Sequence, residues 1–256
     1  MSGQRIKVIL SGALGRMGRV VAEAIRGAPD IELVGGIESQ EKLSEKPEFP
    51  LFPDLSGLTG DVLVDFTNPG VSIGILEQGA SSGMGLVVGT TGFTEEQQET
   101  IKGLANSVPV LLSPNMSVGI NLLLEMLPKM AQGLRGYDIE ITETHHRHKS
   151  DAPSGTAKAL FEAVRRARPE LRPITQRTGP RASDEVGIVS MRGGEVFGEH
   201  TVMFLGDGEV IEVTHRALSR KAFALGTLMA IRFVAKAKPG FYTMKEVIIN
   251  NAQRGH

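Results

Sequence analysis

A strand, glycine turn, helix and second strand at the N-terminus constrain the fold more than any other feature of the chain. Residues 7–10 are an apolar run that ends at Ser11-Gly12, as a buried strand entering a turn does. Apolar residues then recur at helical spacing from Met17 to Ile25, and residues 31–37 predict another strand. A strand–helix–strand crossover of this kind implies a parallel sheet.

The same alternation continues to residue 112. Strands are predicted at 61–66, 86–89 and 108–112, and helices at 71–80 and after a capping box formed by Thr94 and Gln97. Residues 39–60 show no periodicity and are predicted to be a surface loop. Repeated βα alternation over about 110 residues predicts an α/β fold with a Rossmann-type doubly wound parallel sheet.

The pattern changes after Asn115. A helix is predicted from about Ser117, and Pro128 should kink or end it. A strand at 139–144, a helix at 156–166 and a hairpin around Gly206-Asp207-Gly208 follow. The pattern predicts a dinucleotide-binding domain of residues 1–116 plus 222–256 and a second, smaller α+β domain of residues 117–221.

Composition excludes several classes of protein. The 28 Lys and Arg nearly balance the 29 Asp and Glu, for a formal net charge of −1, which argues against a nucleic-acid partner. The chain has no Cys, so thiolate metal sites and cysteine-nucleophile dehydrogenases are excluded. The start of the chain shows no signal peptide, and the apolar stretch 118–127 is too short to span a bilayer. We therefore expect a cytoplasmic protein without a membrane partner.

Three glycines occupy the first strand-to-helix turn. The spacing of Gly12, Gly15 and Gly18 is G-x-x-G-x-x-G, a variant of the usual dinucleotide motif. Small residues there let the backbone approach a pyrophosphate at the helix N-terminus, where Arg16 adds positive charge. Glu38 lies where an acid that binds ribose hydroxyls is expected, roughly 20 residues onward. The alternatives are helix–sheet packing without a ligand and a solvated acid at a strand end.

Two further loops follow predicted strands, Gly89-Thr90-Thr91-Gly92 and Ser113-Pro114-Asn115-Met116. Ligands of doubly wound sheets bind at the carboxyl ends of the strands, so both loops are predicted to face the nicotinamide. Either loop taken alone is equally typical of an ordinary turn.

The densest group of chemically active side chains lies between Glu143 and Thr156. Three of the six His of the chain fall within four residues, beside Lys149. The alternatives are a solvated basic face, a metal site, which the cationic run and the lack of Cys disfavour, and a helix N-cap at Ser154. The favoured hypothesis is that a helix N-terminus and Lys149 hold carboxylates while His145 or His146 handles a proton.

These residues resemble the 4-hydroxy-tetrahydrodipicolinate reductase (dihydrodipicolinate reductase) family. The run E-x-H-H-x-x-K-x-D-x-P-S-G-T that starts at Glu143 is the most specific match. The resemblance extends along essentially the whole chain, through residues 12–18, 65–67, 89–93, 113–117, 192–194, 198–201, 215–217 and 219–220.

The resemblance implies reduction of 4-hydroxy-tetrahydrodipicolinate, with loss of water, by NADH or NADPH, and no metal. It implies that His145 is the proton donor or acceptor, that Lys149 is the second active-site residue, and that His146, Gly155 and Thr156 bind substrate carboxylates. The cofactor contacts that it implies are Gly12, Ala13, Leu14, Gly15, Arg16, Met17, Glu38, Gly89, Thr90, Thr91, Ser113, Pro114, Asn115 and Met116.

Two further expectations concern assembly and cofactor choice. The resemblance implies a homotetramer, closed by strands between about residues 185 and 215 whose exposed edges need covering. Many members of the family carry a basic residue directly after the ribose-binding acid, whereas Ser39 and Gln40 follow Glu38 here. NADH should therefore serve at least as well as NADPH, unless Arg16 or Lys42 approaches the acid.

Two other functions fit the same architecture. A homoserine-type dehydrogenase would share the fold, but the histidine–lysine run is not expected in it. A non-catalytic dinucleotide sensor would combine the first domain with a regulatory module, and a DNA-binding sensor would add a basic helix, which does not stand out in the sequence.

Overall fold

The computed structural model describes residues 4–254 and divides into two compact units. Unit 1 comprises residues 4–118 and 221–254, and unit 2 comprises residues 119–220. Within the described chain, no helix is long and apolar enough to cross a membrane.

The secondary structure alternates between strands and helices in unit 1 and is richer in strands in unit 2. The strands are β1 (Ile6–Ser11), β2 (Ile31–Ile37), β3 (Leu51–Phe52), β4 (Val62–Asp65), β5 (Gly85–Val88), β6 (Pro109–Leu112), β7 (Asp138–His145), β8 (Arg172–Ile174), β9 (Glu185–Arg192), β10 (Glu199–Leu205), β11 (Val210–Arg216) and β12 (Gly240–Tyr242). The helices are α1 (Arg16–Arg26), α2 (Pro69–Ser81), α3 (Glu95–Leu104), α4 (Val118–Gly133), α5 (Gly155–Arg165), α6 (Lys221–Val234) and α7 (Met244–Arg254).

Unit 1 is a seven-stranded parallel sheet in the order β12-β6-β5-β4-β1-β2-β3. Helices α1, α6 and α7 pack on one face, where Val8 and Leu10 of β1 point. Helices α2 and α3 cover the other face, to which Ile9 points. The central strands are apolar at successive positions because both of their faces are buried. The predicted doubly wound α/β fold is confirmed.

The sequence predicted a surface loop for residues 39–60, but the structure shows that they are not entirely loop. They contain a short 3₁₀ helix (Gln40–Lys42) and β3, which pairs with β2 at the sheet edge. The ring of Phe52 packs where a Cβ on Gly35 would lie, 2.7 Å from that position. A two-residue strand has no periodicity to detect, which explains why it was missed. The capping box is confirmed, since Thr94 Oγ1 accepts a bond of 3.2 Å from the Gln97 amide.

Unit 2 is a mixed sheet in the order β11-β10-β7-β9-β8, with β7 parallel to β9 and antiparallel to β10. Side chains of α4 and α5 cover one face of it. That face is apolar at one end, with Ile139 and Ile141 of β7 fully buried. Two and four residues after Ile141, the same face carries Glu143 and His145. The hydrophobic core of unit 2 therefore changes into a charged cluster along a single strand. The predicted hairpin is confirmed as β10 and β11.

The prediction that Pro128 kinks or ends its helix was wrong about the end. Helix α4 continues five residues beyond Pro128, to Gly133. A proline lacks the N–H that would bond the carbonyl four residues earlier, which is that of Leu124. The guanidinium of Arg166 donates a hydrogen bond of 2.6 Å to this carbonyl instead. A side chain from the end of α5 thus replaces the missing backbone donor.

Candidate active site

The predicted cofactor residues lie at the carboxyl ends of four strands of unit 1, and Asp65 lies at the end of a fifth strand among them. In sheet order these ends are Ser113 after β6, Gly89 after β5, Asp65 at the end of β4, Gly12 after β1 and Glu38 after β2. Five contiguous strand ends form one edge, where doubly wound sheets bind dinucleotides.

The glycine turn requires glycine at two positions. Gly12 has a φ of +74°, and a Cβ there would lie 2.5 Å from the carbonyl oxygen of Phe66. A Cβ on Gly18 would lie 2.6 Å from the carbonyl oxygen of Ala13. Helix α1 has Gly15 as its N-cap and receives no side-chain cap. Its uncapped end and the close backbone packing fit a phosphate group.

Glu38 is linked directly to this turn. It is 9% exposed, and its Oε1 accepts a hydrogen bond of 2.6 Å from the backbone N–H of Leu14. The ammonium of Lys42 lies 3.2 Å from its other oxygen. Glu38 is therefore neither a solvated strand end nor without a cationic neighbour.

A second buried acid, Asp65, organises the loop of residues 89–92. Its carboxylate is fully buried and accepts bonds from the hydroxyls of Ser72 at 2.6 Å, Thr67 at 2.7 Å and Thr90 at 2.7 Å. Thr90 Oγ1 in turn accepts a bond from the backbone N–H of Thr67. Thr90 thus supports the loop from inside, whereas Thr91 is exposed.

The other predicted cofactor residues divide between the surface and the interior. Arg16 and Pro114 are exposed, while Ala13 and Met116 are buried among the apolar side chains of unit 1. Ser113 Oγ donates to the carbonyl of Asn115, whose side chain accepts from the Ser117 amide. Ser113 and Asn115 therefore shape their loop, and Pro114 is the part of it that faces outward.

In unit 2, one buried carboxylate joins His145 to Arg192. Glu143 is 1% exposed, and its Oε2 lies 2.5 Å from His145 Nδ1. Both terminal nitrogens of Arg192 bond it, Nη1 to Oε2 at 2.8 Å and Nη2 to Oε1 at 2.7 Å. This paired geometry is the strong form of a guanidinium–carboxylate contact. Arg192 stands opposite His145 in the register of β9 and β7.

The same carboxylate reaches the start of helix α5. The backbone N–H of Ser154 donates to Glu143 Oε1 at 3.1 Å. Ser154 Oγ accepts from the Ala157 amide, so the predicted N-cap is confirmed, and it also contacts His200 Nε2 at 3.1 Å. The rings of His145 and His200 meet edge to face with centroids 5.0 Å apart.

Lys149 and its neighbours form the more exposed side of the cluster. The Lys149 ammonium lies 2.7 Å from Asp151 Oδ1. His146 is half-buried, and its Nδ1 has no hydrogen-bond partner among residues 4–254. His148 is exposed and lies 3.8 Å from Glu195. The Lys149 ammonium is therefore held in place by Asp151.

The electrostatics separate the acids from the histidines. Although burial opposes it, hydrogen bonds from Arg192, His145 and Ser154 lower the pKa of Glu143 to about 2. Burial lowers the pKa of His145, an effect that Glu143 partly opposes. Burial, reinforced by the charge of His145, lowers the pKa of His200 to about 4. Near neutral pH, the Glu143 carboxylate therefore stays ionised, while the neighbouring His145 and His200 resist protonation.

Glu143, His145 and His200 could in principle hold a metal, since their ligand atoms lie within 4.8 Å of one another. Both oxygens of Glu143, however, already accept bonds from Arg192. A metal ion would thus lie next to a guanidinium, and hydrogen bonding accounts for the cluster without one. The absence of a metal stays a prediction.

The structure adds Arg192 and His200 to the predicted group between Glu143 and Thr156. Sequence reasoning gave Ser154 only a capping role and left Glu143, Arg192 and His200 without roles. For Arg192, the available signal was strand alternation, which puts it on the same face as Ile188 and Ser190.

The parallel sheet wound on both faces, the glycine turn and the acid after β2 are typical of a pyridine-nucleotide-dependent oxidoreductase. The family description "Dihydrodipicolinate reductase, N-terminus" matches residues 6–116, and "Dihydrodipicolinate reductase, C-terminus" matches residues 119–248. The chain belongs to the dihydrodipicolinate reductase family.

Similar proteins of known family support this assignment. The 4-hydroxy-tetrahydrodipicolinate reductase of Rubrobacter xylanophilus is 44% identical over 265 residues, covering 95% of this chain and 98% of the relative. That of Archaeoglobus fulgidus is 43% identical over 257 residues, covering 95% and 100%. A dipicolinate-bound dihydrodipicolinate reductase from Paenisporosarcina has the same fold, with a TM-score of 0.80 at 24% identity, covering 94% of this chain and 98% of that one.

Proposed function

We propose that the protein is a 4-hydroxy-tetrahydrodipicolinate reductase of the diaminopimelate route to lysine. It would convert 4-hydroxy-tetrahydrodipicolinate, with loss of water and addition of a hydride and a proton, to tetrahydrodipicolinate. The observation that carries the proposal is the arrangement of His145 and Lys149 around the capped N-terminus of α5. Such a group suits a dicarboxylate that accepts a proton.

Unit 1 would hold the cofactor. Backbone groups of residues 12–17 would bind the pyrophosphate, Glu38 the adenosine ribose, and loops 89–91 and 113–116 the nicotinamide part. The tight backbone packing that Gly12 and Gly18 permit in the turn and the uncapped end of α1 support this assignment. When bound, the reduced nicotinamide supplies the hydride.

Unit 2 would hold the substrate. Lys149, His146 and the backbone N–H groups of Gly155 and Thr156 would bind its carboxylates, which would take the place of Asp151 at the Lys149 ammonium and the Gly155 amide. His145 Nε2 would exchange the proton. No residue of the described chain hydrogen-bonds this nitrogen, and a Cβ on Gly198 would lie 3.0 Å from it. Gly198 thus leaves the reactive nitrogen uncovered.

A spectrophotometric assay tests the proposal. Substrate generated in situ is mixed with the protein and NADH, and the nicotinamide absorbance is followed. We expect a loss of absorbance that requires both protein and substrate. NADH that binds without being consumed would favour the non-catalytic sensor, and consumption with a homoserine-type substrate alone would favour the other dehydrogenase.

Cofactor choice rests on Glu38 and Lys42. The acid can accept bonds from both ribose hydroxyls, and it would repel a 2′-phosphate unless a cation lies nearby. Lys42 is such a cation, although its pairing with Glu38 leaves no net positive charge there. We expect NADH to serve at least as well as NADPH. A tenfold preference for NADPH, about 1.4 kcal/mol, would contradict this.

We further propose a cytoplasmic homotetramer, with residues 1–116 plus 222–256 binding the cofactor and residues 117–221 binding substrate and forming the assembly. Val189 and Met191 of β9, on the sheet face away from α5, are nearly half exposed. Covering them would bury apolar surface. Light scattering at micromolar concentration should give four times the mass of one chain, and a monomer would refute the proposal.

A further inference from the structure

We infer that Glu143 is the positioning residue of this site, because one carboxylate orients the proton-transfer histidine and the helix end that would bind the substrate. The inference rests on the proposed function for the identity of the substrate.

The first contact fixes the histidine tautomer. An ionised carboxylate only accepts hydrogen bonds, so the atom facing Glu143 Oε2 must be a protonated His145 Nδ1. The neutral ring then keeps its lone pair on Nε2, the atom next to Gly198. In this orientation Nε2 can accept a proton and later donate it, whereas the opposite tautomer could not accept one there.

The second contact fixes the start of α5. Glu143 Oε1 accepts from the amide of Ser154, the residue whose hydroxyl caps the helix. Gly155 follows directly, so its position depends on the same carboxylate. Glu143 is thus joined to His145 through one oxygen and to the end of α5 through the other.

Arg192 keeps this carboxylate ionised and immobile. Its two terminal nitrogens bond both oxygens of Glu143, and Nη2 also donates to the carbonyl of Asp151 at 2.6 Å. The guanidinium therefore links β9 to the segment that leads into α5. A buried acid with such a partner cannot take up a proton near neutral pH, so it does not compete with His145 for one.

The decisive variant is Glu143→Gln, which keeps the size of the side chain. Its amide oxygen can still accept from Ser154 and from Arg192 Nη2, but its NH₂ group would face both Arg192 Nη1 and His145 Nδ1, and it would favour the opposite tautomer of His145. We expect kcat to fall roughly 100-fold or more, since the corresponding change behind another catalytic histidine costs about 10⁴. KM and NADH affinity should change little. In Glu143→Ala the contact to Ser154 is lost as well, so KM should also rise.

The pH profile separates positioning from a merely structural role. His145 faces Glu143 on its own strand, Arg192 on β9, His200 on β10 and, further off, Lys149. Loss of the anion leaves His145 among cations, so the midpoint attributed to it should move down by about one pH unit or more. Glu140→Gln is the matched control. Glu140 is an Arg177-paired acid on the opposite face of the same strand, and its loss should leave the midpoint unchanged.

A second readout does not depend on turnover. Nitrogen NMR shifts of the His145 ring, assigned by comparison with His145→Gln, should show the Nδ1–H tautomer in the native protein and the Nε2–H tautomer in Glu143→Gln. The same tautomer in both, or a native pH midpoint in Glu143→Gln, would overturn the inference. A native protein that binds NADH but never consumes it would instead refute the proposed function.

Discussion

The two units each contain a buried carboxylate at a strand end, and the two are held by different donors. Asp65 in unit 1 accepts from three neutral hydroxyls, of Thr67, Ser72 and Thr90. Glu143 in unit 2 accepts from a guanidinium, an imidazole and a backbone amide. Hydroxyl donors fix the geometry of a loop without adding charge, whereas charged donors also determine which neighbouring groups ionise.

This difference matches the two tasks that we propose for the units, cofactor binding in unit 1 and proton transfer in unit 2. A cofactor-binding loop must keep its shape while a ligand enters and leaves, and proton exchange there would serve no purpose. A proton-transfer site needs a fixed charge beside a group that titrates. We therefore expect substitutions around Asp65 to change binding and substitutions around Glu143 to change turnover and its pH dependence.

Replacement of His145 by Gln should have the largest effect. Gln retains polarity but cannot exchange a proton, and loss of a general acid–base group costs about 10²–10⁴ in rate. Affinity for NADH, a property of unit 1, should remain within about twofold of the native value, given the usual small effect of distant changes. Steady-state kinetics and NADH titration by fluorescence test both statements. A large loss of NADH affinity would break the division between the two units.

Lys149→Ala should follow. Its ammonium would neutralise a substrate carboxylate and stabilise the charge that develops on the ring, so kcat/KM should fall about 10²–10³-fold. Turnover at saturating substrate should fall as well as affinity. His148→Ala is the matched control, because His148 is exposed and only distantly paired, and it should change little. If Lys149→Ala turned over normally at saturating substrate, the residue would only bind the substrate and would not stabilise the developing charge.

Asp65→Asn should give a moderate effect of a different kind. The amide keeps the volume, but its NH₂ group replaces one acceptor among three hydroxyl donors, so the Thr90 loop should lose its fixed position. We expect NADH affinity to fall about tenfold, the equivalent of one hydrogen bond, while the pH midpoint of turnover stays native. A shifted pH midpoint of turnover in Asp65→Asn would show that an acid held by hydroxyl groups also controls the titration of the site.

The smallest effect concerns stability in mild acid. The pKa of His200 is lowered to about 4 in the folded protein. As the pH falls, His200 is therefore protonated in the unfolded chain before it is protonated in the folded one. The contribution of neutral His200 is complete above the ordinary histidine pKa of about 6.5 and is lost as pH falls towards 4. Between about pH 7 and about pH 5.5 the loss should approach 1 kcal/mol. Urea unfolding should show this slope in the native protein, and an equal slope in His200→Gln would contradict it.

Sequence reasoning was most successful where a pattern repeats or a motif is local. The alternation of unit 1, the capping box at Thr94 and the hairpin at Gly206 were all confirmed. Strand β3 was missed because two residues carry no period. The continuation of α4 beyond Pro128 depends on Arg166, a residue 38 positions away in the sequence. A prediction from neighbouring residues alone cannot take such a distant contact into account.

The candidate site shows the same limit. His145, Lys149 and Ser154 lie within one short segment, so their association was visible in the sequence. Arg192 and His200 reach Glu143 and Ser154 only through the register of β9 and β10 against β7. Strand register is a tertiary property, because it depends on which apolar residues pack in the core at the other end of the same strands.

The gradual change of β7 from core to charged cluster has a consequence for local opening of the molecule. The strand that carries Ile139 and Ile141 into the core also carries Glu143 and His145, and backbone bonds continue past it from Gly193 to His145 and from His146 to Val196. Exchange of these amides with solvent would require the strand to separate from its neighbours. We therefore expect the part of the site that β7 carries, with His145, to open only when the strand itself separates, so that its amides exchange slowly.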